Sequence, residues 1–319
     1  MNPDSLRDGI LASDQRALAR GISMIERRRD GYRELVAELY QHPSQAQIIG
    51  MTGSPGAGKS TLVNRLIREY REQDLRVGVI AIDPSSPFTG GAILGDRIRM
   101  DASRGDTDVF IRSLSTGGAL GGLAPTTDDV ITTYQAYGMD RIIVETVGTG
   151  QNEVDIVETA DTVAVVCQPS QGDDIQLLKA GILEIGDLFV LNKADRPGVE
   201  RMFSALQQMI RESSERNPES NVWIPPIVRT VATEDTGISS LVETIDEHDQ
   251  FLRTSGGRNV QQQRRFRAHL RRILRDEIER RIDAALTSHA DEIDEAADPY
   301  TVASTIVKTS LTGETHETE

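Results

Sequence analysis

The chain has 319 residues, of which 38% are hydrophobic, and this composition suffices for one large folded domain or two smaller ones. Its 35 basic residues stand against 50 acidic residues, which gives a formal net charge of −15. A surface this acidic repels phosphate backbones and anionic lipids, so we expect neither nucleic acid nor a membrane as a partner. The single cysteine, Cys167, excludes an internal disulfide and a cysteine-cluster metal site, and its apolar neighbours predict a buried thiol.

The N-terminus is polar, and no apolar run approaches the roughly 18 residues of a membrane-spanning helix. We therefore expect a cytoplasmic protein without a signal peptide. Only four of the 35 basic residues are lysines, at positions 59, 179, 193 and 308. An ammonium is a compact point charge and a guanidinium is a wide fork, so a lysine retained in an arginine-rich chain is a candidate functional residue.

Residues 1 to about 45 are predicted to be helical, since apolar residues recur there at helical spacing among charges. From residue 46, short apolar runs alternate with amphipathic stretches. The predicted strands are Ala46–Met51, Val77–Ile82, Val109–Leu114, Arg141–Glu145, Thr162–Cys167, Leu188–Asn192 and Ile227–Val231. The predicted helices between them lie near residues 59–72, 126–137, 175–185, 198–213 and 238–253. Apolar strands separated by helices indicate an α/β fold with a mostly parallel sheet covered by helices on both faces.

Ser255-Gly256-Gly257 is predicted to join this α/β domain to a long helix near residues 259–290. Apolar residues from Phe266 to Leu286 form one stripe along that highly charged helix, and such a stripe requires a partner surface. The expected organisation is a helical N-terminal extension (1–45), an α/β domain (46–255) and a C-terminal helical arm (256–319). The last dozen residues are expected to be disordered.

A phosphate-binding loop of the form G-x-x-x-x-G-K-S follows the first predicted strand and precedes a predicted helix. Its glycines let backbone N–H groups converge on phosphate oxygens, and the helix N-terminus adds partial positive charge. Lys59 would reach the β and γ phosphates, and the Ser60 hydroxyl would bind Mg²⁺. The predicted nucleotide-binding residues here are Gly53, Ser54, Pro55, Gly56, Ala57, Gly58, Lys59, Ser60 and Thr61.

A guanine-recognition motif, Asn192-Lys193-Ala194-Asp195, ends a later predicted strand. The Asp195 carboxylate can accept hydrogen bonds from the N1–H and the exocyclic amine of guanine, whereas adenine offers neither in that arrangement. A buried carboxylate left without partners is costly, so this motif favours GTP. Lys193 would lay its aliphatic stem along the base.

The third element, Glu145-Thr146-Val147-Gly148, also ends a predicted strand. A carboxylate at Glu145 can hold Mg²⁺ through water, and the Gly148 N–H can reach the γ phosphate. Asp83 follows another strand and could join the metal shell. The glycine-rich run 83–100, which contains Asp96, suits a loop that reorders when the γ phosphate and the metal bind.

Together these motifs resemble the MeaB/ArgK group of P-loop GTPases, whose members assist adenosylcobalamin-dependent methylmalonyl-CoA mutases. The resemblance covers about residues 46–250 and rests on GSPGAGKST, DPSSPFTGGAILGDRIRM, ETVGTGQNE, QGDDIQLLKAGILEIGD and NKAD. It implies that Mg²⁺ is held by Ser60, Asp83, Asp96 and Glu145. It also implies a third switch that relays the partner's presence, with Asp173, Gln176 and Lys179 acting beside Lys59 in catalysis.

The same resemblance places Val231-Ala232-Thr233 at the last guanine-contact loop, where the family pattern usually begins with serine. Thr149 and Asn152 also depart from the commoner residues of their segment. The implied function is a Mg²⁺-dependent GTP hydrolase that acts as a chaperone of methylmalonyl-CoA mutase. It would gate cofactor loading and protect the mutase, with hydrolysis as a timing step, and GTP or GDP and Mg²⁺ would be its ligands. A homodimer is also implied.

Two other functions remain open. A small-molecule kinase of the arginine/ornithine transport type would need an acceptor pocket and a base beside the γ phosphate, and the sequence displays no such constellation. A nickel-insertion GTPase would need histidine or cysteine clusters, and the five histidines lie away from all of these motifs.

Overall fold

The structure is a computed structural model, and it describes residues 2–42, 44–83, 105–115, 123, 126–146, 153–169, 185–216, 223–290, 293 and 298–307. Within these ranges the predicted α/β fold is confirmed, because all strand pairs of the seven-stranded sheet are parallel. The strands are β1 (Gln47–Gly53), β2 (Val77–Asp83), β3 (Val109–Ser115), β4 (Arg141–Glu145), β5 (Thr162–Cys167), β6 (Leu188–Asn192) and β7 (Ile227–Thr230). Their order across the sheet is β3-β2-β4-β1-β5-β6-β7.

Helices precede, connect and follow these strands. In chain order they are α1 (Pro3–Leu11), α2 (Gln15–Glu26), α3 (Tyr32–Leu39), α4 (Lys59–Glu72), α5 (Thr127–Tyr137), α6 (Glu153–Thr159), α7 (Val199–Arg216), α8 (Ile238–Ser255), α9 (Gly257–Ser288) and α10 (Pro299–Ile306). The predicted helix at 175–185 lies outside the described residues except for its last position. The long C-terminal helix begins at Gly257, immediately after the left-handed Gly256 that ends α8.

The central strand shows how the two faces of the sheet are covered. All seven residues of β1 are buried, and successive side chains of a strand point to opposite faces. Ile48 joins the hydrophobic cluster formed with α1, α2, α3 and α5, whereas Ile49 joins the cluster formed with α4 and α8. The N-terminal helices therefore cover one face of the sheet.

The chain divides into two compact units, Met1–Arg265 and Phe266–Glu319. The first contains the sheet and the helices that pack on it, and it contains Cys167, which is buried as predicted. The second exposes a row of large apolar side chains, at Phe266, Leu270, Ile273, Leu274, Ile278, Ile282 and Leu286. In the described part of the chain, no helix has the length and apolar character needed to cross a bilayer.

A polar cluster that includes the buried Thr162 and His248 and the partly buried Asp187 lies at the start of β5 and β6, at the edge of the sheet where the strands begin. Thr162 Oγ1 lies 2.9 Å from His248 Nδ1, and His248 Nε2 lies 3.6 Å from Asp187 Oδ1. The other Asp187 oxygen accepts the Val163 N–H at 2.8 Å, and the Trp223 ring packs on the imidazole with ring centroids 4.9 Å apart. Burial raises the pKa of Asp187 to about 7 and lowers the pKa of His248 to about 4.

These two groups are expected to give opposite pH dependences of stability. The folded state keeps the Asp187 proton to about pH 7, so this carboxyl lowers the free energy of unfolding as the pH rises from about 4 to 7. The folded state excludes the His248 proton down to about pH 4, so the imidazole raises that free energy between about pH 4 and 6.5. Relative to wild type, His248→Gln should therefore lose stability as the pH rises, and Asp187→Asn should gain it. Thermal denaturation across this range, with wild type as the background, checks both signs, and parallel curves for all three proteins would contradict the assignment.

Candidate nucleotide site

The candidate site lies where β1 ends in the phosphate loop. In the sheet, β1 lies between β4 and β5. Strands β2, β3 and β4 lie on one side of β1, and after β4 the chain crosses to the other side of β1 to form β5. In open parallel sheets, ligands bind at such a switch point, beyond the carboxyl ends of the strands. β2 and β4 lie on the Glu145 side, whereas β6 and β7 lie on the Asn192 side.

Three glycines give the phosphate loop its path. Gly53 has φ +132°, and a Cβ there would lie 2.0 Å from the Val166 carbonyl oxygen. Gly58 has φ +98°, and its Cβ would lie 2.4 Å from the Asn192 side-chain nitrogen. A Cβ at Gly56, with φ +75°, would meet nothing within 4 Å, so that residue is glycine for its backbone conformation. The loop therefore packs closely on β5 and β6 and has open space at its centre.

Lys59 is the first residue of α4 and is buried. Its Nζ donates hydrogen bonds to the carbonyl oxygens of Gly53 at 2.7 Å and Ser54 at 3.1 Å. The ammonium thus lies across the loop whose N–H groups are predicted to bind phosphate. A guanidinium is a wide planar fork, so arginine would not be an equivalent replacement for this ammonium.

Ser60 and Glu145 meet at the other side of the loop. The Ser60 hydroxyl donates to Glu145 Oε1 at 2.6 Å, and Glu145 is buried at the end of β4, directly opposite Met51 of β1. Hydroxyl and carboxylate oxygens are ligands that Mg²⁺ prefers, so this pair fits the predicted metal. Asp83 is the last residue of β2, the strand beside β4, and its side chain lies outside the described residues.

Asn192 connects the phosphate loop to the end of β7. Its Nδ2 donates to the Ala57 carbonyl oxygen at 2.8 Å. Its Oδ1 accepts the Thr230 hydroxyl at 3.1 Å and the Ala232 N–H at 3.2 Å. Val231 and Ala232 are buried, whereas Thr233 is exposed. The structure thus brings the phosphate loop, the Asn192 motif and segment 231–233 together.

Lys193 adopts a left-handed conformation, with φ +57°, and directs its ammonium toward the phosphate loop. Its Nζ donates to the Gly56 carbonyl oxygen and to Gln168 Oε1, both at 2.7 Å. Asp195 follows two residues later and is exposed. The sequence motifs do not include Gln168, although its position directly after β5 could have indicated a role at the site.

Comparisons with known proteins identify the family of this chain. The family model described as methylmalonyl Co-A mutase-associated GTPase MeaB matches residues 18–287. The chain belongs to the MeaB family. A Pyrococcus abyssi protein provisionally named as a GTPase is 45% identical over 316 residues, which cover 97% of each chain. GTPase ArgK of Escherichia coli is 32% identical over 292 residues, covering 87% of this chain and 86% of ArgK.

The chain is also similar to a mouse protein and to a solved structure. The mouse protein named methylmalonic aciduria type A homolog, mitochondrial, is 30% identical over 295 residues, covering 86% of this chain and 70% of that one. A crystal structure titled LAO/AO transport system kinase superposes with a TM-score of 0.66 at 23% identity, over 97% of this chain and 98% of that one. At this identity the superposition supports the fold alone.

Membership of the MeaB family establishes two points of chemistry. The chain is a GTP hydrolase, and it binds guanine nucleotides. Both agree with the functions predicted from the phosphate loop and from the Asn192 motif. The remaining predicted residues, Asp96, Gly148, Asp173, Gln176 and Lys179, lie outside the described residues, as do Thr149 and Asn152.

Proposed function

We propose that this MeaB-family GTPase is a Mg²⁺-dependent, cytoplasmic chaperone of a cobalamin-dependent methylmalonyl-CoA mutase. GTP hydrolysis would time the loading of the mutase cofactor and the protection of the partner. The match of residues 18–287 to a family described as mutase-associated carries this proposal. The relation to the mouse protein, whose name refers to methylmalonic aciduria, supports it.

Different site residues would bind the phosphates, the guanine base and the metal. Segment 53–61 would hold the phosphates through its N–H groups, and Lys59 would place its ammonium against the β and γ phosphates. Asp195 would accept from guanine, while Lys193 and Asn192 fix its strand end against the phosphate loop. Ser60 and Glu145 would hold Mg²⁺, with Asp83 and Asp96 as the further proposed ligands. When bound, Mg²⁺ would supply positive charge that neutralises the charge developing on the phosphate oxygens.

Capture of a mutase in a nucleotide-dependent manner tests the proposed function. The full chain, loaded with a non-hydrolysable GTP analogue or with GDP, would be mixed with a purified cobalamin-dependent mutase and recovered by affinity. We expect different retention in the two nucleotide states and faster GTP turnover in the presence of the mutase. Equal failure to retain the mutase in both states, with unchanged turnover, would contradict the chaperone proposal and leave the GTPase assignment intact.

We also propose that Asp173, Gln176 and Lys179 form the segment that senses the mutase. Lys179 has no role in the nucleotide motifs, so Lys179→Ala is expected to keep intrinsic hydrolysis and to lose the stimulation by the mutase. Lys179→Arg should restore only part of it, because a guanidinium presents its charge over a wider plane. GTP turnover of the three proteins, with and without mutase, measures this. Full stimulation of Lys179→Ala would remove Lys179 from the switch.

The apolar row of the C-terminal unit supports a homodimer. Leu274 is 52% exposed and Ile278 is 54% exposed, and a helix with such a stripe is stabilised when a partner covers it. We expect Leu274→Asp combined with Ile278→Asp to convert the dimer to a monomer. Sedimentation equilibrium checks the change. A dimer of wild-type affinity would show that this row is not the interface.

A further inference from the structure

Arg65 lies in the second turn of α4, the helix that begins at Lys59. Its guanidinium donates hydrogen bonds to one segment of the chain. Its Nε donates to the Ala232 carbonyl oxygen at 2.9 Å, and one terminal nitrogen donates to the Thr233 carbonyl oxygen at 3.3 Å. The other terminal nitrogen donates to Asp235 Oδ2 at 2.9 Å. All three guanidinium nitrogens thus bind residues 232–235, which follow the strand next to Asn192.

The contact at Ala232 has a directional consequence. The Ala232 C=O and the Thr233 N–H belong to one peptide unit, and among the described residues no peptide bond is cis. In a trans peptide the C=O and the N–H point in opposite directions. By holding the Ala232 oxygen on the α4 side, Arg65 therefore directs the Thr233 N–H away from that helix. Asn192 Oδ1 accepts the Ala232 N–H, so the peptide units on both sides of Ala232 are held.

The hydrogen-bonding groups of guanine indicate what a Thr233 N–H with this orientation can bind. On the edge that Asp195 would recognise, N1–H and the exocyclic amine are donors and pair with the carboxylate. The remaining polar atom of that edge, O6, is an acceptor and requires a donor. We propose that Arg65 is a positioning residue that sets guanine selectivity by aiming the Thr233 N–H at O6. This proposal rests on the proposed base-binding role of Asp195 and segment 231–233.

The backbone conformation and the burial at the Arg65–Asp235 contact support the view that Arg65 holds segment 232–235 in place, a role that we call a brace. Asp235 has φ +58°, a left-handed conformation that non-glycine residues seldom adopt, and it is exposed. The Arg65 side chain is 19% exposed, whereas that of Asp235 is 62% exposed, so the guanidinium is partly shielded from water where it meets the loop. Because α4 also begins with Lys59 and Ser60, the same helix contacts the phosphate loop and the proposed base loop.

Binding of three nucleotides distinguishes the contacts of the two donors on the base edge, N1–H and the exocyclic amine, from the contact of the acceptor O6. IDP keeps O6 and N1–H but lacks the exocyclic amine, so the GDP/IDP affinity ratio reports Asp195. The compound 6-thio-GDP keeps both donors and carries a weak sulfur acceptor at position 6, so the GDP/6-thio-GDP ratio reports the Thr233 N–H. Equilibrium titration with all three is made on Arg65→Gln, Arg65→Lys and Asp235→Asn. Arg68→Gln is the matched control, since Arg68 is exposed one turn further along α4.

We expect wild type to prefer GDP over both analogues. Arg65→Gln should lower the GDP/6-thio-GDP ratio about 3- to 10-fold, the range of one hydrogen bond, and leave the GDP/IDP ratio unchanged. Arg65→Lys should retain part of the selectivity. Asp235→Asn should give a smaller loss, because asparagine tolerates the left-handed backbone and the carbonyl contacts remain. In steady state, Arg65→Gln should raise KM for GTP and leave kcat unchanged, whereas Arg68→Gln should match wild type.

Each other result overturns the proposal. An unchanged GDP/6-thio-GDP ratio in Arg65→Gln would show that Arg65 does not aim the donor, and equal loss of both ratios would show general loosening. If Arg65→Gln fails to fold, the ratios of Arg65→Lys and Asp235→Asn decide, and wild-type values for both contradict the brace. Failure of the underlying base site is distinguishable, because wild type itself would then lack a preference for GDP over IDP.

Discussion

Replacing Lys59 with alanine is expected to lower the rate of GTP hydrolysis by about a thousand-fold or more. The Lys59 ammonium lies within 2.7 Å of the Gly53 carbonyl oxygen, at the centre of the loop that is predicted to bind the phosphates. Charge on the transferring phosphoryl group is greatest in the transition state. A preorganised cation beside it, shielded from water, therefore contributes more to the transition state than to the bound substrate.

The second variant, Lys59→Arg, distinguishes the effect of the positive charge on the hydrolysis rate from the effect of the side-chain shape. It keeps the positive charge but replaces a point charge by a planar fork at a buried position, so we expect most of the activity to be lost. Phosphate release at saturating GTP measures the rate, and thermal denaturation verifies that each variant folds. Arg68→Gln, on the exposed side of the same helix, is the control for loss of a positive charge. Hydrolysis by Lys59→Ala within about tenfold of wild type would contradict the catalytic role.

The strands were predictable because each is a short apolar run between amphipathic segments. Arg141–Glu145, Thr162–Cys167 and Leu188–Asn192 match their predicted bounds, and these strands are buried on both faces. β1 extends to Gly53, two residues beyond its predicted end, because it pairs with Val166 of β5 through the first glycine of the phosphate loop. The position of the N-terminal helices was not predictable. Helical spacing identifies an apolar face, but it does not specify which distant surface covers that face.

In the candidate site, too, the residues of short motifs were predictable from the sequence, whereas the contacts between distant residues were not. Lys59, Ser60, Asn192 and Lys193 lie in short contiguous motifs, so residue type and spacing alone identify them. The residues that connect those motifs were missed. Arg65 reaches a segment 167 positions away along the chain, and Gln168 holds Lys193 across 25 positions. Such contacts depend on strand order, and the order β1-β5-β6-β7 is a property of the folded sheet.

Asp195→Asn is expected to exchange the base preference from guanine to xanthine. In the proposed site the carboxylate would accept two hydrogen bonds from guanine, and an amide would replace one acceptor oxygen with a donor nitrogen. That nitrogen would face the exocyclic amine of guanine, donor against donor, whereas it could donate to the 2-oxo group of xanthine. A mispaired polar group in a site built for hydrogen bonds is costly, so the GTP/XTP preference should change by about a thousand-fold or more.

The structure makes this substitution a clean test. Asp195 is exposed, so the amide is accommodated without repacking, and Asn192 and Lys193 hold the motif against the phosphate loop through contacts that do not involve Asp195. Turnover of GTP and of XTP is measured for wild type and variant, and Lys59→Ala serves as the variant impaired with both nucleotides. Because the proposed phosphate and metal ligands are untouched, kcat of Asp195→Asn with XTP should approach that of wild type with GTP. A variant that keeps the wild-type preference for GTP would remove Asp195 from the base site, and a variant inactive with both nucleotides would show that Asp195 supports the phosphate loop rather than the base.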